Sequence, residues 1–169
     1  MDAVLDIRTL VLTYVGLTIG QAVVLVYLWS VQRSYPPAKD WAVGSLMFAI
    51  GLFLFALRTQ ASAVLTEIVS NLFLLPGLML FNFGIVKATG RTPPMKSGLV
   101  FCLVAIAFIA WFVLVSPNYP AGVVTHNLVF LTLYLYTAYA CLVAKTAKGN
   151  HTFRIVGLLC IALALACFW

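Results

Sequence analysis

The sequence predicts an all-α polytopic membrane protein, a bundle of transmembrane helices with almost nothing outside the bilayer. Three observations predict it. Of the 169 residues, 64% are hydrophobic and 8% are charged, whereas a soluble domain carries about 25% charged residues and needs them to face water. The apolar residues fall into six runs, most of them of the ~17–25 residues that a ~30 Å hydrocarbon core asks of a helix. Lipid offers no partners for open backbone groups, so runs of that length have to be helical.

The spans are expected at about 9–31, 41–57, 64–86, 97–115, 122–144 and 152–169, forming one integral membrane domain over 1–169. Tyr35-Pro36-Pro37 and Thr92-Pro93-Pro94 are expected to stop helices, because proline lacks a donor and restricts the residue before it. Ser116-Pro117-Asn118 and Tyr119-Pro120 turn the chain between the fourth and fifth spans, and Lys148-Gly149-Asn150 between the fifth and sixth. The sixth run opens with polar and basic residues, which leaves an apolar stretch of about 15 residues, or ~22 Å at 1.5 Å per residue. That is short of the core, so the sixth span is expected to continue past Trp169. A seventh would then return the chain, giving seven helices in the full protein. No segment is long enough for a separate soluble domain, and no internal repeat stands out.

Charge sets an orientation. Arg33, Lys39, Lys87, Arg91, Lys96, Lys145, Lys148 and Arg154 lie on one side of the predicted spans, and only Arg8 and Arg58 on the other. Basic residues in short loops mark the cytoplasmic side, so the N-terminus is expected outside, which in a Gram-negative cell, with the protein in its inner membrane, means the periplasm. Trp29, Tyr35, Trp41, Trp111 and Tyr119 fall near span ends, as interfacial aromatics do. The net charge of +6 is therefore a topology signal. No basic run is interleaved with exposed aromatics, so nucleic acid is not an expected partner. Asp2 and Asp6 precede the first apolar run, the reverse of a basic signal-peptide start.

Ionisable and amide side chains inside spans are costly and mark candidate sites. Glu67, Ser70 and Asn71 share one face of the third helix, and Asn82 continues that stripe three turns on. With Arg58 from the end of the second span and His126 and Asn127 from the start of the fifth, they suggest a periplasm-facing polar cluster. The candidate ligand-binding set is Arg58, Glu67, Asn71, His126 and Asn127. The competing reading is structural: Arg58 and Glu67 form an interfacial ion pair, and Asn71 and Asn82 bind neighbouring helices, each bond contributing ~0.6–2 kcal/mol. His126 has the ordinary titration range of a proton sensor, although a lone histidine in a first turn is more often a polar anchor. Gly16 and Gly20 form a GxxxG spacing suited to helix packing. Pro76 can kink the third helix, and Gln21 is a further helix-contact candidate.

No metal or cofactor is expected. His126 and His151 fall on opposite sides of the predicted membrane, and a metal site needs clustered ligands. Cys102, Cys141, Cys160 and Cys167 are scattered singly through apolar runs without metal-ligand spacing. Such thiols behave as small hydrophobes.

Several stretches carry a family resemblance. They are Asp6-Ile7-Arg8-Thr9-Leu10, Trp41-Ala42-Val43-Gly44-Ser45-Leu46, Phe55-Ala56-Leu57-Arg58, the run Ile68-Val69-Ser70-Asn71-Leu72-Phe73-Leu74-Leu75 through Gly77, and Phe83-Gly84-Ile85 before Gly90-Arg91. These resemble the N-terminal membrane sensor regions of bacterial diguanylate cyclases of the GGDEF type, over roughly the first 95 residues. The resemblance implies a signal-input domain, a homodimer in membrane lipid, and a cytoplasmic output domain beyond Trp169 that makes cyclic di-GMP from GTP. The present sequence has no GGDEF motif, phosphate-binding glycine loop or magnesium carboxylates, so catalysis of phosphoryl transfer is not expected within it. Two alternatives stand beside this reading. A small transporter or channel subunit would use Pro76-Gly77 as a midplane break. A seven-helix photoreceptor would need a lysine inside a span, and every lysine here lies at a span end or in a break.

Overall fold

The computed structural model describes the backbone of residues 7–143 and 150–166, and the side chains of 12–58, 60–143 and 151–165. The acidic start at Asp2 and Asp6, the Arg8 side chain, the break carrying Lys145 and Lys148, and the end with Cys167 and Trp169 lie outside the described residues. Six helices follow in order: α1 Ile7–Val31, α2 Pro36–Ala56, α3 Ser70–Ala88, α4 Met95–Leu114, α5 Tyr119–Leu142 and α6 Asn150–Ala166. A short 3₁₀ turn, Leu57–Thr59, follows α2, and a π-helical segment, Val64–Val69, leads into α3. Among the described residues there is no strand.

Five of the helices are long and apolar enough to cross a membrane: Leu12–Val31, Pro36–Ala56, Val64–Ala88, Met95–Leu114 and Tyr119–Leu142. The apolar stretch of α6, His151–Leu165, is shorter. The outward faces are apolar as well. Leu17, Val24, Val100, Phe108, Leu128 and Leu158 are each at least 50% exposed. A surface of this kind is solvated by lipid, since monomeric soluble proteins rarely expose contiguous apolar patches of such extent.

The prolines correct the expected boundaries. Pro36 and Pro37 do not end α1; they are the first residues of α2, where a missing N–H costs nothing. Lys39 and Asp40 therefore lie within the start of α2 rather than in a loop. Tyr119 and Pro120 likewise open α5, which Asn118 caps by accepting a bond from Ala121 N at 3.2 Å. Pro94 caps α4. Gly90 turns the chain after α3 with φ +81°, a conformation that favours glycine.

Helix α3 lies at the centre. It packs on α2, α4 and α5, while among the described residues α1 packs on α2 and α6 on α5. The main core gathers Leu75, Met79, Phe83, Cys102, Ile106 and Leu133 from α3, α4 and α5. The α2–α3 contact is made backbone to backbone. A methyl group on Gly44 would come within 2.6 Å of Phe81 N, one on Gly77 within 2.6 Å of Phe48 N, and one on Gly51 within 2.7 Å of Leu74 N. Gly16 and Gly20 do not have this role among the described residues, none of which lies within 4 Å of a methyl built on either. They sit on the exposed side of α1, while its packed side is Val15, Thr18 and Ala22.

Alternating helix directions give the bundle two ends. Arg33, Lys39, Lys87, Arg91, Lys96 and Arg154 collect at one, here termed the basic end. Lys87 there pairs with Asp40 at 2.5 Å, tying the foot of α3 to the start of α2. The opposite end carries the 57–63 and 115–118 connections and Glu67.

Candidate functional site

At the Glu67 end the third span is not an ordinary α-helix. Over Val64–Val69 the backbone widens to π geometry, and Ser70 N reaches back five residues to Leu65 O. The carbonyl four residues back, Thr66 O, is then taken by the Ser70 hydroxyl at 2.5 Å. Thr66 Oγ1 donates in the same way to Ser62 O at 3.1 Å, and Asn71 Nδ2 to Glu67 O at 2.6 Å. Three short polar side chains thus supply hydrogen bonds to carbonyls along the widened turn, competing with the regular ladder as such residues do. π-turns within helices occur frequently at functional sites.

The widened turn borders a cavity of about 550 Å³, within the usual range for small-molecule sites. Glu67 and Asn71 contribute from the third span and His126 from α5. Phe55, Ile109, Phe112, Val113, Tyr119 and Val123 make its apolar and aromatic walls, and Asn118 lies at the exposed mouth. Asn71 is 3% exposed. Its Oδ1 lies 2.9 Å from His126 Nδ1, and the imidazole packs against the Phe130 ring with centroids 4.3 Å apart.

The candidate residues divide. Glu67, Asn71 and His126 come together around the cavity; Arg58 and Asn127 do not line it. Arg58 makes no salt bridge with Glu67: the ion pair formed among the described residues is Lys87–Asp40. The Arg58 guanidinium instead lies over the Phe55 ring, 5.6 Å from its centroid, at the exposed end of α2. Asn127, one position past His126, is half-buried and is not part of the cavity lining. Pro76 lies inside α3, which stays α-helical from Ser70 to Ala88. Asn82 is buried and bonds within its own helix to Leu78 O at 2.9 Å.

Asn82 also accepts from Thr137 Oγ1 of α5 at 2.8 Å, a partner not singled out in the sequence. This pair repeats the first one. Asn71 with His126 and Asn82 with Thr137 both join residues 55 positions apart. The helices α3 and α5 are therefore parallel and in constant register, and eleven residues on each separate the two polar rungs by about 16 Å.

A second cavity of about 550 Å³ lies at the basic end between α1, α2, α3 and α6. Gln21, Tyr35, Trp41 and Phe153 are among its lining. The Trp41 indole rests on Gly84, and its N–H is buried without a hydrogen-bond partner. Among the described residues no three His, Cys, Asp or Glu side chains gather as metal ligands.

Comparisons with known proteins leave the chain on its own. No protein-family model, curated protein or solved structure matches it.

Proposed function

We propose that this chain is a membrane-embedded sensory input domain, and that the cavity beside the π-turn takes its signal. The observation that carries the reading is that cavity. Its polar wall is built on the central helix of the bundle and on α5, and two hydrogen-bonded rungs, eleven residues apart, tie those helices together. A molecule settling at the Glu67 end therefore acts on two helices that run together to the basic end. Pockets with a few convergent polar groups in an apolar wall are the usual form of small-molecule sites.

The distribution of basic residues supports a periplasmic Glu67 end and a cytoplasmic basic end in a bacterial inner membrane. The resemblance to diguanylate cyclase input regions supports a cytoplasmic output domain that makes cyclic di-GMP and works as a homodimer. Two measurements test this. The gene read onward from Trp169 should continue in frame into a GGDEF domain, and an immediate stop codon rules out that output. In cells expressing the intact protein, Asn71→Leu and His126→Leu should each change cyclic di-GMP at least severalfold while surface mutants such as Leu128→Ala do not. Unchanged levels in both site variants, at equal protein abundance, would refute the sensor reading.

A further inference from the structure

We propose that the cavity at the Glu67 end binds a cationic amphiphile: a small ammonium-bearing molecule with an apolar or aromatic body. The proposal rests on the sensor reading and names the ligand class of its cavity. It follows from counting donors and acceptors. Asn71 Nδ2 is committed to Glu67 O at 2.6 Å, which fixes the amide and turns its oxygen toward His126. With an acceptor 2.9 Å away, His126 Nδ1 has to carry the proton. The neutral imidazole then keeps a lone pair on Nε2. Among the described residues no hydrogen bond reaches that nitrogen, and the half-buried His126 lines the cavity.

The Glu67 carboxylate also lines the cavity; it forms no salt bridge among the described residues, and Arg58 is the cation whose charge acts on it. The half-buried floor therefore offers a carboxylate and an imidazole lone pair as acceptors, against the one remaining N–H of the Asn71 amide. The other side-chain donors lie at the mouth: the Asn118 NH₂, whose oxygen partner caps α5, and the Tyr119 hydroxyl, both on exposed residues. A floor dominated by a carboxylate repels anions and favours a positively charged N–H group, since charge-assisted bonds are about twice as strong as neutral ones. Phe55, Phe112 and Tyr119 surround it with aromatic rings, which favour both an apolar body and a nearby cation. Of the charged groups at this end, Arg58 is exposed and held over Phe55. Solvent screening weakens its opposition to a ligand cation. Asp40, the other acid among described side chains, lies at the basic end.

Three probes with one body and different heads test the class: phenylbutylamine, phenylbutanol and phenylbutyrate. Each is titrated calorimetrically into the full chain in zwitterionic nanodiscs, with empty nanodiscs subtracted. The amine should bind at least tenfold more tightly than the other two, as a charge-assisted bond of about 1.5–3 kcal/mol implies. Glu67→Gln should remove that preference while leaving the helical spectrum and melting temperature of the wild type. His126→Phe, which retains the ring packing on Phe130, should weaken amine binding severalfold. Equal binding of amine and alcohol, or tighter binding of the butyrate, overturns the ligand class and leaves the sensor reading standing. Absence of binding by all three overturns the class as well. The sensor reading then falls only if Asn71→Leu and His126→Leu both leave cyclic di-GMP unchanged in cells.

Discussion

The rung between Asn82 and Thr137 makes an asymmetric prediction. Thr137 Oγ1 lies 2.8 Å from Asn82 Oδ1 and 2.9 Å from Leu133 O, yet a hydroxyl has one proton to give. If Asn82 becomes leucine, the hydroxyl turns fully to Leu133 O and stays satisfied. The cost is then that of one interhelical bond in a membrane, about 0.6–1.7 kcal/mol. If Thr137 becomes valine, the shape is kept but Asn82 Oδ1 loses its partner, in a residue 1% exposed. An unsatisfied buried acceptor adds about 1–3 kcal/mol. Thr137→Val should thus destabilise the bundle more than Asn82→Leu does, and the double variant should cost less than the two together, with a coupling of about 0.6–2 kcal/mol. Reversible unfolding in bicelles, run as a double-mutant cycle, measures all three. A larger cost for Asn82→Leu, or additivity within about 0.3–0.5 kcal/mol, would show that the hydroxyl does not serve Asn82.

Three further outcomes are expected. Gly77→Ala places a methyl 2.6 Å from Phe48 N and should cost about 1–3 kcal/mol through overpacking, while Gly20→Ala, facing open space, should be neutral or stabilising in the same unfolding assay. Asp40→Asn should cost about 1–2 kcal/mol, between the values for exposed and buried ion pairs, because Lys87 and Asp40 retain 30% and 12% side-chain exposure; Lys87→Met with Asp40→Leu should recover most of it. In a cysteine-free background, Gln60→Cys should react with a membrane-impermeant maleimide on intact cells and Thr92→Cys only after permeabilisation. The reverse pattern would invert the proposed orientation.

The architecture was legible in the sequence because so few charges leave helices in lipid as the workable fold. The finer structure was harder to read, for a physical reason. Helices that are apolar all round show no periodic face, so nothing in the spacing of Phe55, Ile109, Phe112 or Val123 says that they surround one cavity. Glu67, Asn71 and His126 stood out because polar groups are rare there, and the same rarity drew attention to Arg58 and Asn127, which the cavity leaves out. Thr137 was passed over because a threonine in a span ordinarily bonds its own helix, as it also does here. Glycine pairs proved ambiguous: the GxxxG of Gly16 and Gly20 faces outward, whereas Gly44 and Gly51 on α2 and Gly77 on α3, without that spacing, let two backbones touch. Proline ambiguity has a similar root, since one residue both ends a helix and suits the first turn of the next.

The equal spacing of the two rungs has a mechanical consequence. Eleven residues make close to three full turns, so both rungs leave α3 at nearly the same azimuth and meet α5 likewise. Two parallel rods pinned at two points along one seam can neither slide nor twist against each other without breaking a pin. The glycine contact holds α2 to the same frame. What borders the cavity without such pins is α4, through Ile109, Phe112 and Val113. Filling the cavity therefore works α4 against a stiff strut, and a stiff strut delivers a displacement at one end to the other with little lost on the way.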